Sequence, residues 1–197
     1  MLEAKSESAL VHRAEPTTTS IDMREISERG MIDVRGLASD KKFMAAMKSV
    51  LGFDLPKQPR TSNSWGDVRA LWLSPDQWLI TCAASKAESL TTELISALGK
   101  IHSLVVNVSD MRTIIRLEGE GVRETVMKGT SIDLTDGDYP AGTVRRMRFA
   151  EIAALLHIVE ADVIDIYVFR SYADYTWVFL LKAARKGSEV RVFRKAS

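Results

Sequence analysis

Only one cysteine, Cys82, occurs in 197 residues, so no disulfide can close within the chain. That usage points to a reducing compartment. Histidine is scarce as well. His12, His102 and His157 lie far apart, with no Cys or His beside them at ligand spacing, which argues against a metal site. Neither charge sign is in excess. Lys+Arg 27 against Asp+Glu 26 leaves +1, which gives no electrostatic reason for a nucleic-acid partner. No run of about 18 apolar residues is present to span a membrane, and residues 1–20 hold no apolar stretch of signal-peptide length. The expected location is cytoplasmic. Gly119-Glu120-Gly121 lacks the strand–GxGxxG–helix setting of a nucleotide site and the Lys-Ser/Thr of a phosphate loop.

What is present is an ordinary globular composition, 46% apolar, enough for one large domain or two packed halves. Residues 1–20 are polar and without periodicity, and read as a flexible N-terminal arm. Met31 to Arg35 alternates as a strand. Asp40 is placed to cap a helix through Leu51, with Phe43, Met44, Met47, Val50 and Leu51 on one face and Gly52 as its stop. Pro56 to Gly66 reads as a loop. Ala70–Leu73 and Gln77–Ile80 flank the turn Ser74-Pro75-Asp76 as a hairpin. Ser85 with Glu88 predicts a capping box opening a helix that ends at Gly99. Val105–Val108 and Thr113–Leu117 follow as strands, then a short helix for which Gly129 is the expected C-cap. Three strands from Arg146 to Phe169 precede a last helix, expected to be capped by Ser171 with Asp174 at its third position. A basic tail runs from Ser188 to Ser197.

The order of elements repeats. Ile32-Asp33-Val34-Arg35-Gly36, a helix ending in Gly52, and Asp54-Leu55 correspond to Ile115-Arg116-Leu117-Glu118-Gly119, a helix ending in Gly129, and Asp133-Leu134. The pattern predicts an α+β chain of duplicated β-α-β-β-α arrangement, with one domain over residues 21–187 made of halves at about 21–103 and 104–187.

Four stretches add a resemblance. They are Leu71-Trp72-Leu73-Ser74-Pro75-Asp76-Gln77-Trp78-Leu79; Val106-Asn107-Val108-Ser109-Asp110-Met111-Arg112-Thr113; Met127-Lys128-Gly129 with Ile132-Asp133-Leu134; and Phe169-Arg170-Ser171-Tyr172-Ala173 with Trp177. In this order they resemble the gamma-subunit family of heterotetrameric sarcosine oxidase, over roughly Met31 to Arg185. That family is in turn similar to the folate-binding domain of the aminomethyltransferase (T-protein) of the glycine cleavage system. The resemblance implies a duplicated, interlocked aminomethyltransferase-like fold. It also implies partners, the alpha, beta and delta subunits of a complex that oxidises sarcosine to glycine, passes the one-carbon unit to tetrahydrofolate and makes hydrogen peroxide. FAD, FMN, NAD, tetrahydrofolate and zinc would then belong to the other subunits, with no cofactor in this chain.

The aminomethyltransferase pattern places a pair of aspartates after the Lys-Gly and Asp-Leu module to orient folate. Here Arg148 to Leu155 contains no aspartate, and Glu151 is its only carboxylate. No catalytic residue and no metal ligand is therefore expected, and the chain reads as a noncatalytic structural subunit. The rival is a stand-alone tetrahydrofolate-binding aminomethyltransferase-like protein. A folate-binding iron–sulfur maintenance protein would have Cys after Lys128-Gly129, where Thr130 stands. Arg112, Arg116, Arg145, Arg146, Arg148 and Arg170 are candidates for gripping a carboxylate. Arg170 and Ser171, where a strand meets a helix, are the preferred anion or partner-contact residues. His157 reads as a core or interface histidine, and Cys82 as a small core residue.

Overall fold

A computed structural model describes residues 7–134 and 137–190. The strands and helices are β1 (Asp22–Glu25), β2 (Arg29–Arg35), α1 (Lys41–Leu51), β3 (Ser62–Trp65), β4 (Val68–Ser74), β5 (Gln77–Ala83) and α2 (Ala87–Leu98). They continue with β6 (Leu104–Asn107), β7 (Arg112–Glu118), α3 (Val122–Met127), β8 (Val144–Phe149), β9 (Ile152–Glu160), β10 (Val163–Phe169) and α4 (Ala173–Ala183). They fall into two compact units. One comprises Glu28–Met111 with Gly142–Arg146, and the other the rest of the chain.

The unit begun by β2 holds a five-stranded sheet in the order β3-β4-β5-β2-β6. Antiparallel pairing sets Ile32 opposite Ile80 and Val34 opposite Trp78, so alternate residues of the long strands share a face. That face packs on α1 and α2. Phe43, Met44, Met47 and Leu51 recur at helical spacing and meet Leu90, Leu94 and Leu98 in one core. Asp40 Oδ1 accepts from the Lys42 and Phe43 amides at 2.8 and 3.3 Å, and Gly52 ends the helix with φ 80. The cap and stop read from sequence are both in place.

The other unit has the order β1-β7-β10-β9-β8. Its core joins Ile115 and Leu117 of β7, Leu156 and Ile158 of β9, Ile164 and Ile166 of β10, and Trp177 and Leu180 of α4. The two orders match copy for copy once the lead strands are exchanged. β1 precedes β2 in the chain but pairs with β7, whereas β6 precedes β7 but pairs with β2. This exchange is the interlock of the duplicated α+β fold.

Several local readings need correction. Ser62–Trp65 lies within the stretch read as loop, yet forms an edge strand on β4 through a turn at Gly66. Ser-Asn-Ser-Trp carries no alternating apolar pattern because the strand is held by its backbone ladder rather than by burial. Each copy is thus β-α-β-β-β-α. Neither Ser85 nor Ser171 caps a helix. Both lie in 3-10 turns, Ala84–Lys86 and Arg170–Tyr172, which lead into α2 and α4 with no side-chain cap. Gly129 is not a left-handed stop either, since α3 ends at Lys128 with φ −65 and ψ −20.

The arm also departs from its reading. Leu10 is 2% exposed and joins Ile21 and Met23 in the core. Ser20 donates its amide to the Ala184 carbonyl at 2.7 Å, and β1 adds to the sheet on β7. Burial of isolated apolar residues between polar ones leaves no period to read. Leu104–Asn107, taken as the opening of the second half, lies in the sheet of the first. The end of the basic tail lies outside the described residues.

Candidate functional site

Each of the four motif stretches can be followed to the work its side chains do. In the first, Ser74 Oγ donates to Asp76 Oδ1 at 2.6 Å, and this bond holds the Asp76 carboxyl below the usual carboxylate range. The Gly36 amide donates to the Asp76 carbonyl at 3.1 Å. Gln77 Nε2 donates to both oxygens of Asp33, at 3.0 and 2.9 Å. Trp78 is fully buried, donates its indole N–H to the Pro56 carbonyl at 2.8 Å, and lies with its ring 5.8 Å from that of Phe43. The motif ties a turn, a strand and a loop together. Trp72, partly buried, packs against the same core.

The second stretch is a side-chain-built turn. Asn107 Oδ1 accepts from the Ser109 amide at 3.1 Å and its hydroxyl at 2.6 Å, while Ser109 Oγ accepts from the Met31 amide at 3.0 Å. In the third, Lys128 Nζ donates to the carbonyls of Ala183 and Ser188 at 2.8 and 2.7 Å. Ala183 is the last residue of α4, so the charge lies at the carbonyl end of that helix, where a cation is most favourable, and Ser188 beyond it supplies the second acceptor. Gly129 is there for space. A Cβ built on it would lie 2.5 Å from Phe149 Cε2. Leu134 closes the module fully buried.

The fourth stretch differs. Ala173 and Trp177 are buried, but Phe169 to Tyr172 face outward. Arg112 sets its guanidinium 5.0 Å over the Phe169 ring. Arg170, next in the chain, donates to the Glu7 carbonyl. Ser171 is exposed on the 3-10 turn. Phe169, Tyr172 and Tyr175 are 37%, 44% and 42% exposed.

The other candidate charges are dispersed. Arg116 forms a two-bond pair with Asp165 at 2.7 and 2.8 Å, with Asp165 only 2% exposed. These bonds hold the guanidinium even more firmly protonated. Arg24 grips Glu118 at 3.0 and 2.7 Å and holds its carboxyl below the ordinary range. His157 is buried on β9 opposite Asp165. Arg148 pairs with exposed Glu151, so the lone carboxylate of that region is a solvated ion-pair member. Arg145 and Arg146 lie on β8. The candidate arginines therefore form no single clamp, since Arg112, Arg116, Arg148 and Arg170 each engage a different group. Cys82 is buried, and burial pushes its thiol up. Among the described residues no group of three or more His, Cys, Asp or Glu is arranged to hold a metal ion, and no helix is long and apolar enough to cross a membrane.

Sequence reasoning missed two positioning residues. Arg123 donates to the carbonyls of Ala161, Leu134 and Tyr139 at 3.2, 2.8 and 3.0 Å, joining the β9–β10 turn to the connection between α3 and β8. Asp174 receives Arg13 at 2.8 Å and His12 at 3.0 Å, and the Arg13 bond holds its carboxyl below the usual range. Both act over sequence separations that carry no local pattern.

Residues 35–186 match the model of the sarcosine oxidase, gamma subunit family. The chain belongs to that family. This gamma-family chain is 26% identical over 168 residues to the sarcosine oxidase subunit gamma of Corynebacterium sp. (strain P-1), covering 85% of the chain and 81% of that relative. It is 27% identical to the corresponding Arthrobacter sp. protein, over 71% of the chain and 68% of the relative. Among solved structures, it is similar to a chain of the heterotetrameric sarcosine oxidase from Corynebacterium sp. U-96. There the TM-score is 0.85 at 21% identity, over 98% of this chain and 99% of that one. The glycine cleavage system aminomethyltransferase T from Bartonella henselae matches with TM-score 0.63 at 14% identity, over 81% of this chain and 45% of that one. The aminomethyltransferase-like fold expected from the motifs is thus the fold of the chain, and the gamma-family reading stands over that of a stand-alone folate protein.

Proposed function

We propose that this chain is a noncatalytic, structural subunit of a heterotetrameric sarcosine oxidase, with alpha, beta and delta subunits as its partners. The complex oxidises sarcosine to glycine with oxygen, an oxidation at a CH–NH donor, passes the one-carbon unit to tetrahydrofolate and releases hydrogen peroxide. FAD, FMN, NAD, tetrahydrofolate and zinc are held on the other subunits, and none is held here. The observation that carries this reading is where the motif residues go. Asp76, Gln77, Trp78, Asn107, Ser109, Lys128 and Gly129 are engaged in turns, helix ends and core packing. No pair of carboxylates stands where the aminomethyltransferase pattern needs one, since Glu151 is alone and paired with Arg148.

Co-expression with the three other subunits tests it. The expected product is a stable four-chain complex that oxidises sarcosine, while calorimetry on the isolated chain gives no saturable heat with tetrahydrofolate. A chain that purifies alone with no affinity for the other subunits overturns the assembly. Saturable binding of tetrahydrofolate to the isolated chain overturns the noncatalytic assignment.

A further inference from the structure

We propose that the open edge of β6 takes up an extended, uncharged segment of another subunit, which pairs with it as a sixth strand of the five-stranded sheet. The inference rests on the assembly proposed above and assigns one of its contacts. β6 ends the order β3-β4-β5-β2-β6 and pairs with β2 on one side only. The Val108 amide donates to the Met31 carbonyl at 2.8 Å, one step beyond the ladder. Hydrogen-bonded pairs alternate along an antiparallel ladder, so Val106 and Leu104 are the residues bonded to Asp33 and Arg35. The amides and carbonyls of Val105 and Asn107 therefore point away from β2. Among the described residues no backbone bond from outside the ladder reaches either of them. Side chains alternate as well. Val105 packs on the core that includes α1 and α2, which leaves Leu104 and Val106 on the opposite face, 46% and 41% exposed.

An unpaired strand edge is a template for a further strand, and proteins blunt it with charge, proline or cover. The other outer strands are protected in these ways. β1 carries Asp22, Arg24 and Glu25, and β8 carries Arg145, Arg146 and Arg148. β3 has no charge, but Gly142 to Val144 lie beside its start. There Thr61 bridges to Thr143, Ser62 Oγ donates to the Gly142 carbonyl at 2.9 Å, and the Val144 amide donates to the Arg60 carbonyl at 2.8 Å. β6, Leu-Val-Val-Asn, has no charge and no proline. Its shortness limits the addition to the groups of Val105 and Asn107, at most about four backbone bonds. Asp33 and Arg35 stand opposite Val106 and Leu104, and Asp33 is held by Gln77. On α2, Glu88 accepts from the Asn107 side-chain amide at 3.2 Å. Charges of both signs flank the strand and none lies on it, so an uncharged segment fits it. Backbone bonds supply the affinity of such an addition, and apolar side chains alternating onto Leu104 and Val106 supply its register. A second copy fits less well. Two β6 strands paired about a two-fold axis join four residues to four, far short of the roughly 800 Å² per partner of a stable interface.

The test uses the co-expressed four-chain complex, diluted in series and analysed by size-exclusion chromatography for retention of this chain. Val105→Pro removes an outward amide that the fold does not use, whereas Val105→Ala keeps that amide while shortening the same side chain. Val105→Pro and Val106→Lys are each expected to raise the concentration for half-dissociation at least about tenfold, and Val105→Ala to stay within about threefold of wild type. Thermal unfolding of the free chains checks that each variant folds. Hydrogen exchange read at single residues adds a signature that side-chain contact alone lacks. The Val105 and Asn107 amides are expected to exchange freely in the free chain and at least about a hundredfold more slowly in the complex, with the Val106 amide protected in both. Folded Val105→Pro and Val106→Lys chains that assemble as well as wild type overturn the strand addition and leave the function standing. Val105 and Asn107 amides that exchange as fast in the complex as in the free chain do the same. Protection of those amides in the free chain that grows with its concentration assigns the edge to a second copy and also overturns the proposal. A wild-type chain that never enters the complex overturns the proposed function instead.

Discussion

Replacing Gly129 by alanine separates two explanations of a glycine that ends a short helix. Were Gly129 a left-handed cap, alanine would be strained by its backbone whatever its neighbours. Its φ is not in the positive range, so backbone strain is absent. In an unstrained position, glycine to alanine stabilises by about 0.4–1 kcal/mol through the unfolded chain. What opposes it is contact. The new methyl would lie 2.5, 2.7 and 2.9 Å from Cε2, Cζ and Cδ2 of Phe149. Phe149 is fully buried and packs edge-on to Phe179 at 5.2 Å, so it has little room to retreat. Overpacking of that kind costs about 1–3 kcal/mol and sometimes more. A net loss of about 2 kcal/mol corresponds to roughly 4–8 °C in a chain of this size. The assay is thermal unfolding of Gly129→Ala, Phe149→Leu and the double variant. Contact predicts a double variant more stable than the sum of the single losses, by about 0.5–3 kcal/mol of coupling. Additive losses would refute the packing argument and return Gly129 to a backbone role.

Lys128→Met keeps the half-buried stem and removes the ammonium from the Ala183 and Ser188 carbonyls; urea unfolding should show a loss of about 1.5–3 kcal/mol, the range for bonds to a charged donor. The Arg24–Glu118 pair predicts a pH dependence. Because the folded Glu118 carboxyl is depressed from 4.5, its stabilisation is present above that value and is lost as pH falls through the lower folded value. Arg24→Gln should flatten the acid limb of a plot of urea midpoint against pH, and an unchanged limb would remove Glu118 from the account. Cys82, buried with its thiol pushed up, should react with an aromatic disulfide reagent only after denaturant is added, and fast labelling of the native chain would contradict its place in the core.

Legibility in the sequence followed the range of the interaction that forms each element. α1 was readable down to both ends because Asp40, the 3.6-residue spacing of Phe43, Met44 and Met47, and Gly52 all lie within one segment. β9 and β10 were readable as apolar runs around a polar turn. β1 and β3 were not, since Asp22–Glu25 becomes a strand only through β7, far along the chain, and Ser62–Trp65, though paired with the adjacent β4, carries no alternating apolar pattern. The capping boxes failed for a local reason. Ser85 and Ser171 fit the cap spacing, but each falls inside a 3-10 turn, where the side chain no longer reaches the amide it should accept from. At the candidate site, Arg170 and Ser171 were visible through their motif, while the exposure of Tyr172 and Tyr175 was not. Exposure of an aromatic residue on a helix has no signature in spacing when the helix buries a face of its own.

The exchange of lead strands explains how the segment that follows the N-terminal arm is held. β1 is four residues long and could not be stable by itself. It is held because Asp22 to Glu25 pair with Glu118 to Ile115, because Met23 and Ile21 enter the core, and because Arg24 grips Glu118 across the ladder. Those partners are ninety or more residues away in the chain, so the entropy of closing that loop must be met before any of them contributes. Segments from both ends and the middle of the chain thus build one core, and removing the first 27 residues would take a strand, three core side chains and a bidentate ion pair from a sheet that begins with them.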